Sequence, residues 1–340
     1  MDQLEKDSLY LEGNIPEASR EILKAACTSS WGDTSNLPDS AFDAVLFQRH
    51  DNTIRYAVPW INRFLSFEDT HLIDFGCGCG SSSLAFSHFF KSVEGFEIDQ
   101  PSVDAFKVRM KLFGRGNVSI HQSTPDLIVS DSLDLIQDDT CVVLLAVVEH
   151  LTEREQVEYL SAFWDKLLPG QYLFILETPN MYSLMDTHTF SQPLMNFVPD
   201  EIFLDYIKME KNKDLRFRDD FLNEASTNGE AAVLEKRRRY GLGVSHHVFE
   251  LAFGEDLQEI VVGDGFSPEI VEWFPMSPDD RFLLSTFDEY NIDLPIGFAR
   301  SVLSFAFQKP KSVKHANEVK TINAVWRDAV LLKYGRTSLP

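Results

Sequence analysis

A short apolar run that ends in alternating glycines constrains the fold of this chain more than any other feature. Residues 71–80 read His-Leu-Ile-Asp-Phe-Gly-Cys-Gly-Cys-Gly. Gly76, Gly78 and Gly80 can adopt positive φ without the cost that a Cβ imposes, and they leave room for a ligand against the main chain. The stretch therefore predicts a buried strand whose carboxyl end forms a binding turn.

A second apolar run places an acidic residue beside this turn. Residues 93–99 read Val-Glu-Gly-Phe-Glu-Ile-Asp, which puts Glu97 twenty-one positions beyond Gly76 (97 − 76). In dinucleotide-binding folds an acid at about this spacing accepts hydrogen bonds from a ribose diol. Asp74, at the end of the first strand, is expected to accept from a cationic amine. Two acids thus flank one glycine turn.

Strand-like and helix-like segments alternate from residue 71 onward, which predicts an α/β fold. Helices are expected over 82–90 and 249–265, and Thr152 and Glu155 form a capping box for a further helix. Pro59 is expected to interrupt a helix before the sheet. The chain is predicted to form a doubly wound, mostly parallel seven-stranded sheet, with strands at 72–75, 92–97, 118–121, 141–148, 172–176, 270–274 and 302–307.

The same pattern divides the chain into five parts. Residues 1–70 are predicted as an N-terminal helical extension and 71–180 as the ligand-binding core. Periodicity blurs over 181–245, which is interpreted as an inserted lid above a substrate. Residues 246–310 complete the core, and 311–340 form a basic C-terminal tail.

Composition and charge restrict the class of protein. The chain has 340 residues, 44% of them hydrophobic, and a formal net charge of −22. That charge argues against a nucleic-acid partner, because polyanions are held chiefly by Lys and Arg. No apolar run is long enough to span a membrane, so a cytoplasmic protein is expected. The four cysteines show no disulfide framework, and Cys77 and Cys79 lack the second ligand pair of a metal site.

Five motifs in order resemble the Rossmann-like S-adenosylmethionine-dependent methyltransferases, in particular the branch that methylates oxygen atoms of small molecules and sugars. The motifs are Asp-Phe-Gly-Cys-Gly-Cys-Gly at 74–80, Gly-Phe-Glu-Ile-Asp at 95–99, Val-Glu-His-Leu at 148–151, Leu-Pro-Gly at 168–170 and Thr-Pro-Asn at 178–180. The resemblance implies S-adenosylmethionine as cofactor. It places the cofactor against Asp74, Gly76, Cys77, Gly78, Gly80, Glu97, Ile98 and Thr124.

The chain also departs from this family. An acid commonly follows the third strand and contacts the adenine amine, but residues 121–124 read His-Gln-Ser-Thr. No Asn- or Asp-Pro-Pro-aromatic element follows the fourth strand, which argues against methylation of a nucleobase or amide nitrogen. Ala-Val-Val-Glu-His at 146–150 is similar to metal-dependent small-RNA methyltransferases, but those have a further acid where Ala146 stands.

Histidine is the natural general base for a hydroxyl acceptor, because it titrates near neutrality. His150, His188 and His246 are the candidates, and each has the alternative of a purely structural role. Asp186, His188 and His246 offer a divalent ion three ligands, but their spacing fits no metal signature and no metal is predicted. Residues 236–239 read Lys-Arg-Arg-Arg and either grip an anionic substrate or form an exposed helix face.

The expected function is therefore methyl transfer from S-adenosylmethionine to an oxygen of a small molecule or saccharide. A non-catalytic partner protein with the same fold is the alternative. A metal-dependent RNA methyltransferase and a nicotinamide oxidoreductase are weaker alternatives. The oligomeric state is left open.

Overall fold

The computed structural model describes residues 10–11, 15–28 and 43–335. Contacts divide this chain into two compact units. The first contains the described residues up to Leu145, together with Lys166–Phe174 and Ser267–Trp273. The second contains Ala146–Asp165, Ile175–Phe266 and the remainder from Phe274.

The strands are β1 His71–Phe75, β2 Ser92–Glu97, β3 Val118–Gln122, β4 Thr140–Leu145, β5 Tyr172–Pro179, β6 Met185–Asp186, β7 Gln192–Pro193, β8 Val261–Asp264 and β9 Val302–Gln308. Seven of them form one sheet in the order β3-β2-β1-β4-β5-β9-β8, which confirms the predicted α/β fold with a mostly parallel seven-stranded sheet. β1 is parallel to β2 and β4, β2 is parallel to β3, and β8 is antiparallel to β9. A separate two-stranded hairpin pairs β6 with β7.

Helices fill most of the chain between the strands. Short 3₁₀ turns occur at Val148–His150, Met195–Phe197, Glu210–Asn212 and Ile296–Ala299. The α-helices of the described residues are α1 Glu17–Thr28, α2 Arg49–Asn52, α3 Val58–Ile61, α4 Ser81–Ser87, α5 Gln100–Phe113, α6 Ile128–Leu133, α7 Glu153–Lys166, α8 Asp200–Lys208, α9 Arg218–Asn228, α10 Glu230–Tyr240, α11 His246–Phe253, α12 Leu257–Ile260, α13 Pro268–Trp273, α14 Pro278–Glu289 and α15 Val313–Val330.

The predicted sixth strand at 270–274 is wrong, because residues 270–273 belong to helix α13. Pro268 opens the helix, where its fixed φ is favourable and its missing N–H is not needed. The edge strand is β8 instead, inside the segment that was predicted as a helix over 249–265. Gly254 ends α11 with a left-handed φ of 62°, which releases the chain to form α12 and then β8.

The fourth strand is shorter than predicted at its carboxyl end. It stops at Leu145, and Ala146 turns the chain with a positive φ of 53°. The Ala146 N–H donates to the Leu176 carbonyl at 2.9 Å. Residues 148–150 therefore lie in a 3₁₀ turn rather than in the strand. The capping box of α7 is confirmed, since the Thr152 N–H donates to Glu155 Oε2 at 2.8 Å and the Glu155 N–H donates to the Thr152 hydroxyl at 3.4 Å.

The described residues before β1 are largely helical, and their division from the core as a separate extension stays a prediction. They include two π-helical turns, Ala44–Gln48 and Thr53–Ala57. Contrary to the prediction, Pro59 does not interrupt this helical segment. The second π-helical turn ends at Ala57, and α3 begins at Val58. Pro59 therefore occupies the first turn of α3, where a missing N–H is tolerated.

The segment 181–245, which the sequence predicts to be an inserted lid, contributes a separate apolar cluster made of Phe190, Met195, Phe203, Leu204, Ile207, Phe221 and Val233. Arg237 is 1% exposed and donates to Asp200 Oδ1 at 2.7 Å and to the Met195 and Val198 carbonyls. Arg239 forms a bidentate pair with Glu155 at 2.7 and 2.9 Å. The basic run at 236–239 is therefore neither a uniformly exposed face nor a row of groups directed at a ligand; its members bind carboxylates of this chain.

Candidate functional site

The glycine turn after β1 has the backbone that the sequence predicts. Gly76, Gly78 and Gly80 have φ values of 70°, 53° and 77°. A Cβ at Gly80 would lie 2.3 Å from the Phe106 ring, so this glycine is required by packing. A Cβ at Gly78 would meet no atom within 4 Å. The middle of the turn therefore borders open space in which a ligand can approach the main chain.

The Glu97 carboxylate organises this turn from the end of β2. Its Oε2 accepts the Gly78 N–H at 2.9 Å, and its Oε1 accepts the N–H groups of Ile98 and Asp99 at 2.8 and 3.0 Å. Burial raises the pKa of Glu97, and these three backbone donors act in the opposite direction. A carboxylate has about four lone-pair sites, so one acceptor site remains for a further donor.

Asp74 lies beneath the turn rather than at its surface. Its side chain is 1% exposed, and Oδ2 accepts the hydroxyls of Ser82 and Ser83 at 2.8 and 2.5 Å. Burial raises the pKa of Asp74 from 3.8 to about 6, although the two serine hydroxyls oppose the shift. The observed contacts tie β1 to helix α4, and the expected contact with a cationic amine stays a prediction.

The other predicted cofactor residues have different surroundings. Ile98 is 44% exposed, and Thr124 is also exposed. They follow β2 and β3, which are parallel with Glu97 opposite Gln122, so both lie past the carboxyl ends of adjacent strands. Cys77 is buried, and burial holds its pKa well above the ordinary range. It contributes backbone to the turn rather than a reactive thiolate.

In the second unit, two of the three predicted catalytic histidines surround a carboxylate. Glu149 Oε1 lies 3.8 Å from His188 Nε2 and 3.9 Å from His150 Nε2. The Glu149 side chain is fully buried, whereas those of His150 and His188 are 45% and 29% exposed. Within the described part of the chain, this is the one group of three metal-ligating side chains whose ligand atoms all lie within 4.8 Å of one another.

The glycine that follows helix α10 packs against this group. A Cβ at Gly241 would lie 3.0 Å from His188 Nδ1 and 3.3 Å from Glu149 Cγ. Its φ of 96° also disfavours other residues. We name Glu149, His150 and His188 the histidine cluster. Sequence reasoning singled out both histidines but missed Glu149 as a site residue, although its position immediately before His150 was a usable signal.

His246 contacts a different set of side chains. Its ring lies 3.8 Å from that of His247 and 5.7 Å from that of Tyr182, measured between centroids. Burial lowers the pKa of His246, and His247 adds to the effect. The Asp186 carboxylate accepts the backbone N–H groups of His188, Thr189 and Phe190, and so shapes the loop. The three ligands Asp186, His188 and His246 are thus not gathered as one group.

Comparison with known proteins found structural likeness without a sequence relative. No protein-family model and no curated protein matches the chain. An S-adenosylmethionine-dependent methyltransferase from Anabaena variabilis is 16% identical, with a TM-score of 0.37, and the match covers 76% of this chain and 86% of that one.

Two further matches cover less of the chain. Precorrin-6y C5,15-methyltransferase from Geobacter metallireducens is 18% identical, with a TM-score of 0.29, over 35% of this chain and 59% of its own. The O-methyltransferase NcsB1 of neocarzinostatin biosynthesis, solved with S-adenosylhomocysteine and 1,4-dihydroxy-2-naphthoic acid, is 17% identical, with a TM-score of 0.32, over 44% of each chain. At these scores and identities the matches carry no argument about what this chain binds or catalyses.

None of the helices among the described residues combines the length and the apolar character that crossing a bilayer requires.

Proposed function

We propose that this protein is an S-adenosylmethionine-dependent methyltransferase that acts on a hydroxyl group of a small molecule or saccharide. One observation carries the proposal: the glycine turn after β1 has an open middle, and its Gly78 amide is fixed by the Glu97 carboxylate at the end of the next strand. This is the arrangement by which α/β sheets hold the ribose of a nucleoside cofactor.

The residues around the turn fit the parts of this cofactor. Glu97 has an acceptor site left for a ribose hydroxyl, and the exposed Ile98 side chain offers an apolar surface to an adenine ring. Thr124 supplies a hydroxyl past the end of β3. Asp74 lies under the turn, where its buried carboxylate would favour the ammonium group of the methionine part. When bound, S-adenosylmethionine supplies a methyl group on a sulfonium for in-line transfer.

We assign the general base to His246. A base for a hydroxyl acceptor must be neutral before it takes the proton. Burial lowers the pKa of His246, which favours the neutral imidazole. The Tyr182 ring lies 5.7 Å from that of His246 between centroids, and an aromatic side chain of this kind provides stacking surface for a small acceptor.

Calorimetric titration of the full chain with S-adenosylmethionine and S-adenosylhomocysteine tests the cofactor assignment. We expect saturable heat for both ligands. Glu97→Gln should weaken binding by about 10-fold or more, because a charged acceptor for the ribose is lost. Glu94→Gln is the matched control, since Glu94 lies on the same strand and accepts from His121 at 2.7 Å. Absence of heat with about 1 mM cofactor would contradict the proposal.

Methyl transfer is tested with labelled S-adenosylmethionine and fractionated extract of the source organism. Incorporation of label into a small-molecule fraction is the expected result. His246→Asn should abolish most of the methyl transfer and leave the cofactor affinity unchanged. His247→Asn should retain methyl transfer. Cofactor binding without transfer to any fraction would instead favour a non-catalytic partner protein.

A further inference from the structure

We infer that the first unit has a binding site for a small organic amine in its ammonium form, at the amino end of β1. A cavity of about 360 Å³ lies there, within the range of ~300–1,000 Å³ that small-molecule sites occupy. Its lining consists of Val58, Pro59, Asn62, Phe67, Glu68, His88 and Phe89. All seven residues belong to the first unit. The inference goes beyond the proposed function and does not depend on it.

The order of elements places this cavity at the opposite end of β1 from the glycine turn. Glu68 precedes β1, whereas the glycine turn follows it. Helix α4 begins next to that turn and ends at Ser87, so His88 and Phe89 lie at its far end. The seven residues of α4 span about 10 Å. A ligand in the cavity therefore leaves the open space at Gly78 unoccupied.

Three polar side chains of the lining have hydrogen-bonding groups to offer. Asn62 and Glu68 are exposed, and His88 is half-buried. Among the described residues, none of these three side chains forms a hydrogen bond or an ion pair with another residue. A cavity that combines apolar walls with a few polar groups of this kind is typical of sites for small molecules.

The His88 imidazole is neutral near pH 7 and is held in place by its neighbours. Burial lowers the pKa of His88 to about 4, and the positive charge of Arg115 adds to the effect. The His50 ring meets that of His88 edge-on, at 6.0 Å between centroids. His50 is fully buried, and its Nδ1 lies 2.8 Å from Asp51 Oδ1. His88 therefore offers a ligand one N–H donor and one nitrogen acceptor but no charge.

The charge of the lining favours a cation. Among the lining side chains of the described chain, Glu68 alone is charged, because no Lys or Arg is present and His88 is neutral. The Glu68 carboxylate and the Asn62 carbonyl oxygen can both accept from an ammonium group. Arg115 lies on the His88 side, where it donates to the Ser87 carbonyl at 3.1 Å. The ammonium is therefore expected at the Glu68 end, with the uncharged part of the ligand toward His88.

The apolar walls determine the rest of the ligand. The rings of Phe67 and Phe89 lie 5.9 Å apart between centroids, and Val58 and Pro59 add aliphatic surface. An aromatic face attracts an ammonium group within ~6 Å of the ring and also provides contact area for a carbon skeleton. The ligand class is therefore an amine that carries a ring or a short apolar chain.

Titration of the full chain with phenethylammonium, followed by calorimetry and by saturation-transfer NMR, tests the site. We expect one molecule bound per chain with a Kd of about 1 mM or tighter. The uncharged 2-phenylethanol and the anionic 3-phenylpropionate have the same ring and should bind at least ~5-fold more weakly. Glu68→Gln should weaken binding of the amine by about 5-fold and leave binding of 2-phenylethanol unchanged.

Two controls accompany this titration, and circular dichroism monitors folding of each variant. Asp69→Asn removes the neighbouring acidic residue, which is exposed but does not line the cavity, so affinity for the amine should not change. Saturating S-adenosylhomocysteine should also leave that affinity unchanged, because the glycine turn lies at the other end of α4. Amine binding by a chain that binds no S-adenosylhomocysteine would contradict the proposed function alone.

Four results would overturn the inference. The first is the absence of saturable binding with about 10 mM phenethylammonium. The second is equal affinity for phenethylammonium and 2-phenylethanol, which would show that charge is not recognised. The third is an equal loss of affinity in the Glu68→Gln and Asp69→Asn proteins, which would indicate attraction by general surface charge. The fourth is competition with S-adenosylhomocysteine, which would place the amine at the glycine turn.

Discussion

Replacing Asp74 by Asn should change how the stability of the protein depends on pH. Asp74 is buried, and its pKa is raised from 3.8 to about 6. Below pH 3.8 the folded and unfolded states both hold the proton. As the pH rises toward 6, the unfolded chain releases a proton that the native state retains, so native stability falls, and above the folded pKa the loss is complete. The pKa difference of ~2.2 corresponds to about 3 kcal/mol.

The asparagine variant carries no charge at any pH and so lacks this loss. Its amide oxygen can still accept the hydroxyls of Ser82 and Ser83, and any fixed cost of burying the amide N–H₂ is independent of pH. The free energy of unfolding of the variant minus that of the wild type should therefore increase by ~2–3 kcal/mol between pH 4 and pH 7.5.

Urea denaturation at a series of pH values, followed by circular dichroism, measures this difference. Asp139→Asn is the control, because the pKa of Asp139 is lowered rather than raised. Slight burial raises this pKa, but the hydrogen bond from Lys91 and the charge of His71 outweigh that effect. That variant should therefore shift in the opposite direction. A difference between Asp74→Asn and wild type that stays constant with pH would refute the argument that burial governs Asp74.

Two further predictions concern packing. Gly80→Ala should destabilise the fold by ~2–4 kcal/mol, because the added Cβ would overlap the Phe106 ring and the φ of Gly80 is left-handed. Gly78→Ala should cost only ~1 kcal/mol, because the left-handed φ is its only penalty. The urea denaturation midpoints of the two variants measure the difference, and equal losses of stability would contradict the packing argument. Arg237→Met should lower the free energy of unfolding by about 3 kcal/mol. This is the lower end of the range for a broken buried ion pair, because the Asp200 side chain is 39% exposed. An unchanged thermal melting temperature would show that the arginine contributes no net stability.

The sequence predicted the glycine turn well because its determinants are local. Positive φ at Gly76, Gly78 and Gly80 requires glycine, and the spacing to Glu97 follows from one strand–helix–strand unit. The contacts of Asp74 with Ser82 and Ser83 were not predicted, because a residue's proximity to a strand end does not reveal which way its carboxylate points.

Errors arose where tertiary contacts decide between two local possibilities. The apolar run at 270–274 contains β-branched and aromatic residues suited to a strand, yet Ile270 is buried within a helix and Trp273 stacks on Tyr56 at 5.9 Å. The histidine cluster depends on a loop that brings His188 close to His150, which lies 38 positions earlier in the chain (188 − 150). No periodicity of a single segment can indicate that His150 and His188 meet at Glu149.

The three amide contacts of Glu97 have a kinetic consequence. Because the carboxylate already fixes the N–H groups of Gly78, Ile98 and Asp99, the turn has its ordered shape before a ligand arrives. Little chain entropy is then lost at docking, and association needs no slow rearrangement of this segment. Differences in affinity among ligands should accordingly arise mainly from their dissociation rates.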